Sequence, residues 1–155
     1  MQNPMKPTRL FLFAALFWSG CEESRDALLS QADACMQKQE LAEASALYLA
    51  LYHRNPFDAD ALLGLMKTSH RQENEEEYIH WSLELLKVQP WNREANLAAA
   101  PYFARQGKWD DAMVSVLMAF QDSVFKEEKL ETIEVLQKIT TGIQADIQTK
   151  RKEKS

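Results

Sequence analysis

YHRNPFD at residues 52–58 is matched one repeat later by LKVQPWN at residues 86–92. Each phrase has a proline at its fifth position, Pro56 in the first and Pro90 in the second. Proline ends a helix because it lacks the amide donor and its ring clashes with the preceding turn. The 34-residue period that the two prolines define is typical of stacked helical hairpins, none of which buries its apolar face alone. The sequence therefore predicts an all-α repeat fold.

The composition agrees with this prediction and excludes several classes of protein. The chain has 155 residues, of which 46% are hydrophobic, so it suits one domain with a packed core. Four glycines and five prolines are fewer than a turn-rich β sandwich or barrel needs. The net charge of −5 argues against nucleic acid as a partner, because phosphate binding requires an excess of cations.

The pattern around the two prolines resembles the tetratricopeptide repeat (TPR) family. Placing the prolines at position 32 of a 34-residue repeat gives repeats at residues 25–58, 59–92 and 93–125. The phrase QGKWDDA at residues 106–112 matches the family's turn between helices. The first repeat matches the family's packed positions with Leu28, Ala32, Ala44, Tyr48 and Leu51. The resemblance implies a right-handed helical solenoid of three TPR helix-turn-helix repeats.

Some residues depart from the family pattern. Tyr78 stands where a small residue is expected, and Ser82 stands where an aromatic residue is expected. Pro101 falls inside the first helix of the third repeat, so we expect that helix to break near residues 98–101 or to begin there.

The residues after the third repeat predict a helix that covers the apolar end of the solenoid. Between residues 126 and 148, apolar residues recur at spacings of three and four, which is typical of an amphipathic helix. Helical solenoids need such a capping helix, because their last repeat otherwise exposes an apolar face. The polar, basic residues 149–155 predict a flexible tail.

Residues 1–20 differ in composition from the rest of the chain. Lys6 and Arg9 are followed by an uninterrupted apolar run at residues 10–18. A basic start, a short apolar run and a small-residue exit are typical of a secretory signal peptide. The run is shorter than the roughly 20 residues that span a bilayer. The alternative interpretation is an N-terminal helix packed on the domain.

The end of this segment, WSGC at residues 18–21, resembles the lipobox of bacterial lipoproteins. Trp18 departs from the aliphatic residue that is usual there. The resemblance implies a lipidated Cys21, a linker over residues 21–24, and a mature chain whose formal charge is −7. Glu22, rather than an aspartate, follows the cysteine, which favours the outer membrane with the protein facing the periplasm.

The sequence offers no pattern for catalysis or metal binding. None of its three histidines lies at a metal-ligand spacing, and nucleophile-elbow, P-loop and dinucleotide-binding motifs are missing. Cys35 falls at a packed position of the first repeat. We therefore predict a non-catalytic protein with no cofactor and no metal site.

In TPR proteins the first helices of the repeats line a groove that holds a protein or peptide partner. The positions carried over from the family with a predicted binding role are Leu29, Asp33, Met36, Leu63, Lys67, His70, Arg71, Leu97 and Arg105. The leucines recur at the 34-residue period and predict an apolar floor. Lys67, Arg71 and Arg105 are candidates to receive an acidic residue or a terminal carboxylate. They do not reproduce the carboxylate clamp of chaperone-binding TPR proteins.

These observations give a leading hypothesis and two alternatives. The leading hypothesis is a membrane-anchored periplasmic adaptor that helps to assemble or stabilise an envelope complex, similar in layout to pilotins or to accessory lipoproteins of outer-membrane assembly. The first alternative is a cytoplasmic TPR chaperone of a secretion system, which would keep residues 1–20. The second is a periplasmic solute-binding accessory protein. A homo-oligomer is left open in each case.

Overall fold

The computed structural model describes residues 23–121 and 126–153. The predicted signal segment and Cys21 lie outside the described residues. The described part of the chain forms helices without any strand. The helices are α1 (Arg25–Gln37), α2 (Leu41–Arg54), α3 (Ala59–Arg71), α4 (Glu75–Val88), α5 (Arg93–Arg105), α6 (Trp109–Gln121) and α7 (Lys126–Glu153).

Each helix packs on the next, and the predicted all-α solenoid of helical hairpins with a C-terminal capping helix is confirmed. Helices α1, α3 and α5 begin at Arg25, Ala59 and Arg93, as the 34-residue period predicts. Helix α7 runs antiparallel to α6, since Trp109 Nε1 lies 3.3 Å from Asp146 Oδ2 while Lys129 lies beside Phe120. It also packs against α5 and so covers the end of the stack.

The loops of the stack lie on two opposite edges. We call the edge that carries residues 55–58 and 89–92, where one hairpin passes to the next, the junction edge. Residues 23–24, at the start of α1, lie on this edge too. The turn edge carries residues 38–40, 72–74 and 106–108, which close the individual hairpins.

The three turns of the turn edge share one backbone conformation. Gln39, Glu73 and Gly107 occupy the same place in successive repeats and have φ angles of 62°, 58° and 70°. In each turn the next amide donates to a carbonyl five residues earlier, as when Lys108 N donates to Phe103 O at 2.9 Å. Such a hydrogen bond ends a helix when the residue before the donor has a left-handed backbone conformation. Glycine adopts that conformation freely, so the sequence indicates it at Gly107 alone.

The junction edge also repeats one feature, the side chain that caps each following helix. Ser24 Oγ accepts from Ala27 N at 3.2 Å, and Asn92 Oδ1 accepts from Ala95 N at 3.1 Å. Asp58 accepts from the amides of Asp60 and Ala61. These capping residues also follow the period of the repeat, and they satisfy amides that have no partner inside the helix.

The core lies between the two layers of helices, where small residues allow close packing. Ala32, Ala44 and Ala61 are fully buried with Tyr48 and Leu65 in the first hairpin and at its contact with the second. A Cβ atom on Gly64 would overlap the Tyr48 ring, so only glycine fits there without repacking.

Two expectations about the C-terminal half change. Helix α5 is continuous through Pro101, so the prediction of a break or a helix start near residues 98–101 is wrong. Proline removes only one hydrogen bond, and the fully buried Ala99 and Ala100 hold the helix against its neighbours. Helix α7 extends to Glu153, five residues beyond the predicted end of the cap, and Lys150 pairs with Asp146 at 2.8 Å. None of the described helices is both long and apolar enough to cross a membrane.

Candidate functional site

A cavity of about 450 Å³ opens between α3, α5 and α7, and we call it the central groove. It brings together four residues that the sequence places on the binding face, Lys67, His70, Arg71 and Leu97. The remaining lining residues are Met66, Tyr78, Arg93, Glu94 and Glu131. The groove therefore combines apolar surface with charges of both signs.

The charges of the central groove are arranged in pairs across helices. Lys67 Nζ on α3 lies 3.2 Å from Glu94 Oε2 on α5, and Arg93 pairs with Glu131 of α7. Arg71 differs, because its Nη1 donates to a backbone carbonyl, that of Met36, at 3.0 Å. Among the described side chains, which are those of residues 23–121 and 129–153, no carboxylate forms an ion pair with Arg71. Its positive charge is therefore available to a ligand in the groove.

The aromatic rings of His70 and Tyr78 line the groove together with Arg71. The His70 ring lies against the Tyr78 ring with centroids 4.7 Å apart. Burial raises the pKa of the Tyr78 hydroxyl, and the nearby carboxylates of Glu94 and Glu131 raise it further. Tyr78 stays a neutral hydrogen-bonding group for this reason. Its large side chain reaches the groove from α4.

Other predicted binding residues lie apart from the central groove. Leu29 and Asp33 line a separate depression on α1, where Asp33 Oδ1 accepts a hydrogen bond from Tyr48 at 2.7 Å. Leu63 is half-buried and packs against the core between the second and third hairpins. The three period-related leucines therefore do not share one cavity as the predicted apolar floor requires.

Two further predicted residues, Met36 and Arg105, have side chains that do not face the central groove. Met36 is 7% exposed, and its Sδ lies 3.2 Å from Thr68 Oγ1 inside the contact between α1 and α3. Only its backbone carbonyl reaches the groove, through Arg71. Arg105 pairs with Glu75 at 2.6 Å and lines a cleft between α4 and α5. The contacts of Met36 with Thr68 and of Arg105 with Glu75 direct both side chains away from the central groove.

Five lining residues of the groove are not among the predicted binding residues: Met66, Tyr78, Arg93, Glu94 and Glu131. Tyr78 departs from the repeat pattern, because a small residue is expected at its position. That departure is the signal in the sequence that could have indicated it. Glu131 belongs to the capping helix, which lies outside the 34-residue period and has no register to place it.

Two other features of the described residues concern metal binding and cysteine chemistry. No group of three or more metal-ligating side chains comes together among them. Cys35 is half-buried, and its burial and the nearby Glu40 carboxylate raise the pKa of its thiol. A raised pKa disfavours the thiolate, which is the nucleophilic form.

Comparison with known proteins identifies the fold but no family. No family model matches the chain, and no curated protein matches it. Among solved structures, the chain is similar to the type III secretion translocator chaperone SycD of Yersinia enterocolitica, with a TM-score of 0.63. The two are 19% identical, and the match covers 77% of this chain and 85% of that one. At this identity the similarity shows that the two proteins share a helical repeat fold.

Proposed function

We propose that this chain is a non-catalytic protein-binding module that holds a segment of a partner protein in the central groove. The observation that carries the proposal is the convergence of Lys67, His70, Arg71 and Leu97 on one cavity of about 450 Å³. Grooves that bind peptides combine an apolar surface with a few placed polar groups. The similarity in fold to a secretion chaperone supports the same class of function.

The groove favours a partner segment with an acidic residue beside an aliphatic one. Arg71 offers the guanidinium without a carboxylate partner in the described part of the chain, and it already sits 3.0 Å from a carbonyl that holds it in place. Leu97 and the Tyr78 ring provide apolar surface close by. An arginine fixed in this way binds a carboxylate with little loss of side-chain entropy.

Charge reversal at Lys67 tests this proposal. Lys67→Glu places a second carboxylate beside Glu94, so we expect partner recovery in affinity capture to fall about tenfold. Lys87→Glu is the matched control, because Lys87 also pairs with a glutamate, Glu84, but lies outside the groove. Equal recovery with both variants would contradict the proposed binding site.

We further propose that Cys21 is lipidated and that the module acts as an adaptor on the periplasmic face of the outer membrane. The support is the WSGC phrase at residues 18–21 after a basic and apolar segment. Anchoring by several acyl chains is stable because each buried CH₂ contributes about 0.8 kcal/mol.

A second candidate is an untethered cytoplasmic chaperone of a secretion system. The similarity in fold to SycD favours it over the adaptor. The intact mass of the protein separates the two candidates. A chain that begins at Cys21 and carries diacylglycerol supports the adaptor, whereas a water-soluble chain that begins at Met1 supports the chaperone.

A further inference from the structure

Two large aromatic side chains project from the junction edge. Phe57 is 74% exposed and Trp91 is 61% exposed. Each directly follows the proline that ends a hairpin, so they occupy the same place in successive repeats. An exposed aromatic pair at one repeated position marks a contact surface more strongly than scattered apolar residues do.

The opposite edge lacks this feature. The turn edge consists of Lys-Gln-Glu at residues 38–40, Gln-Glu-Asn at 72–74 and Gln-Gly-Lys at 106–108. All nine of these residues are exposed, and none has an apolar side chain of any size. The described loops of the junction edge therefore expose two large aromatic side chains, whereas those of the turn edge expose none.

The start of the described chain is held at the junction edge, beside Phe57. Arg54 Nη1 donates to the carbonyl of Glu23 at 2.6 Å. Arg25, two residues further on, donates to both carboxylate oxygens of Asp58, with Nε–Oδ2 at 2.6 Å and Nη2–Oδ1 at 2.9 Å. Cys21 precedes Glu23 by two residues, which span at most about 7 Å of extended chain.

We propose that the junction edge lies on a lipid bilayer, with Phe57 and Trp91 at the level of the lipid headgroups. The inference rests on the proposed lipidation of Cys21, because a lipid on that residue holds Glu23, at one end of this edge, within about 10 Å of the bilayer surface. Aromatic rings are favoured at the membrane interface, where tryptophan combines an apolar body with a polar N–H group. The turn edge then faces away from the membrane, into water.

Other side chains of the same edge fit this orientation. Phe120, near the end of α6, is 44% exposed, and Lys129 Nζ lies 5.9 Å from the centre of its ring. Arg54 is exposed beside Phe57. Cations next to interfacial aromatics bind lipid phosphate groups, so these side chains suit a bilayer that lies along the length of the edge.

Quenching of tryptophan fluorescence by spin-labelled lipids tests the orientation. The protein purified from membranes, which lacks Trp18 if it begins at Cys21, is reconstituted into phosphatidylethanolamine and phosphatidylglycerol vesicles that contain doxyl-labelled phosphatidylcholine. Trp81 and Trp109 are half-buried, so Trp91 accounts for the quenchable emission if the edge lies on the bilayer. We expect Trp91→Phe to remove that component.

Two further variants test the orientation while Trp91 stays in place. Phe57→Ser weakens the seating of the edge, and we expect quenching of Trp91 to fall about twofold. Val114→Ser is the matched control, since Val114 is also exposed but lies in the middle of α6. We expect it to leave the quenching unchanged.

The intact mass of the same sample separates the two ways in which the inference can fail. If Cys21 carries diacylglycerol and Trp91→Phe leaves the quenching unchanged, the membrane orientation is wrong while the tether stands, and the edge faces a protein instead. If Cys21 carries no lipid and the chain remains in solution, the tether and the orientation are both overturned.

Discussion

The junction edge and the turn edge close the same stack of helices with opposite chemistry. The turn edge uses three polar turns whose central residue is left-handed, and it has no large apolar side chain. The junction edge uses capping side chains and a half-buried ion pair, and it exposes Phe57 and Trp91. The backbone of both edges follows the repeat, but of the described loops only those of the junction edge expose large aromatic side chains.

The largest expected effect concerns the clamp at the junction edge. Asp58 is 6% exposed, caps α3 and accepts two hydrogen bonds from Arg25. Asp58→Ala removes the cap and leaves Arg25 without its main partner, so we expect the free energy of unfolding to fall by about 3 kcal/mol. Asp60→Asn alters a mostly exposed partner of the same arginine and costs about 0.5 kcal/mol. Urea unfolding measures both, and equal losses would contradict a clamp centred on Asp58.

Acid is expected to weaken the same clamp. The hydrogen bonds from Arg25 lower the pKa of Asp58 below its usual range. A carboxyl group whose pKa is lower in the folded state stabilises the fold above its unfolded pKa, which is about 3.9. That contribution is lost as the pH falls below about 4 and through the folded pKa. Unfolding free energies measured from pH 6 to pH 2 should fall less steeply in Asp58→Ala, and parallel curves would contradict the assignment.

A smaller effect, of opposite sign, is expected at the turn edge. Glu73 is left-handed with a φ of 58°, a conformation that costs a residue with a side chain about 1 kcal/mol. Glu73→Gly should therefore raise the free energy of unfolding by about 0.5–1 kcal/mol. Gly107→Ala is the reverse substitution at the equivalent turn and should lower it by about 1 kcal/mol. Thermal unfolding of both variants checks the pair, and shifts in the same direction would contradict a shared turn.

The smallest effect on stability is expected for the exposed aromatics. Phe57→Ser and Trp91→Ser remove side chains that are mostly in water, so each should change the free energy of unfolding by less than about 0.5 kcal/mol. A loss above about 2 kcal/mol would mean that these rings support the fold. In that case their exposure would no longer point to a contact outside the protein.

Much of the fold could be predicted from the sequence because it depends on a period. Pro56 and Pro90 placed the starts of α1, α3 and α5, since helix ends and caps are local features. The left-handed turn was visible only at Gly107, because Gln39 and Glu73 adopt the same conformation without the residue that usually signals it. Pro101 was misjudged because tertiary packing outweighs the loss of one hydrogen bond.

The candidate site was less predictable, because it depends on contacts between elements. Lys67 and Leu97 lie in the central groove as their repeat positions indicate. Arg105 has an equivalent position but turns towards Glu75, and Met36 is covered by α3. Glu131 enters the groove from α7, whose placement follows no period.

Site-specific photo-crosslinking in the producing cell directly tests whether the central groove holds a partner protein. A photoreactive residue replaces His70, which is exposed and lines the groove, or Ala46, which is exposed on α2 outside it. If the groove holds a partner, we expect position 70 to give a discrete protein adduct of one mass and position 46 to give no adduct of that mass. Adducts that are identical at both positions, or absent from position 70, would contradict it.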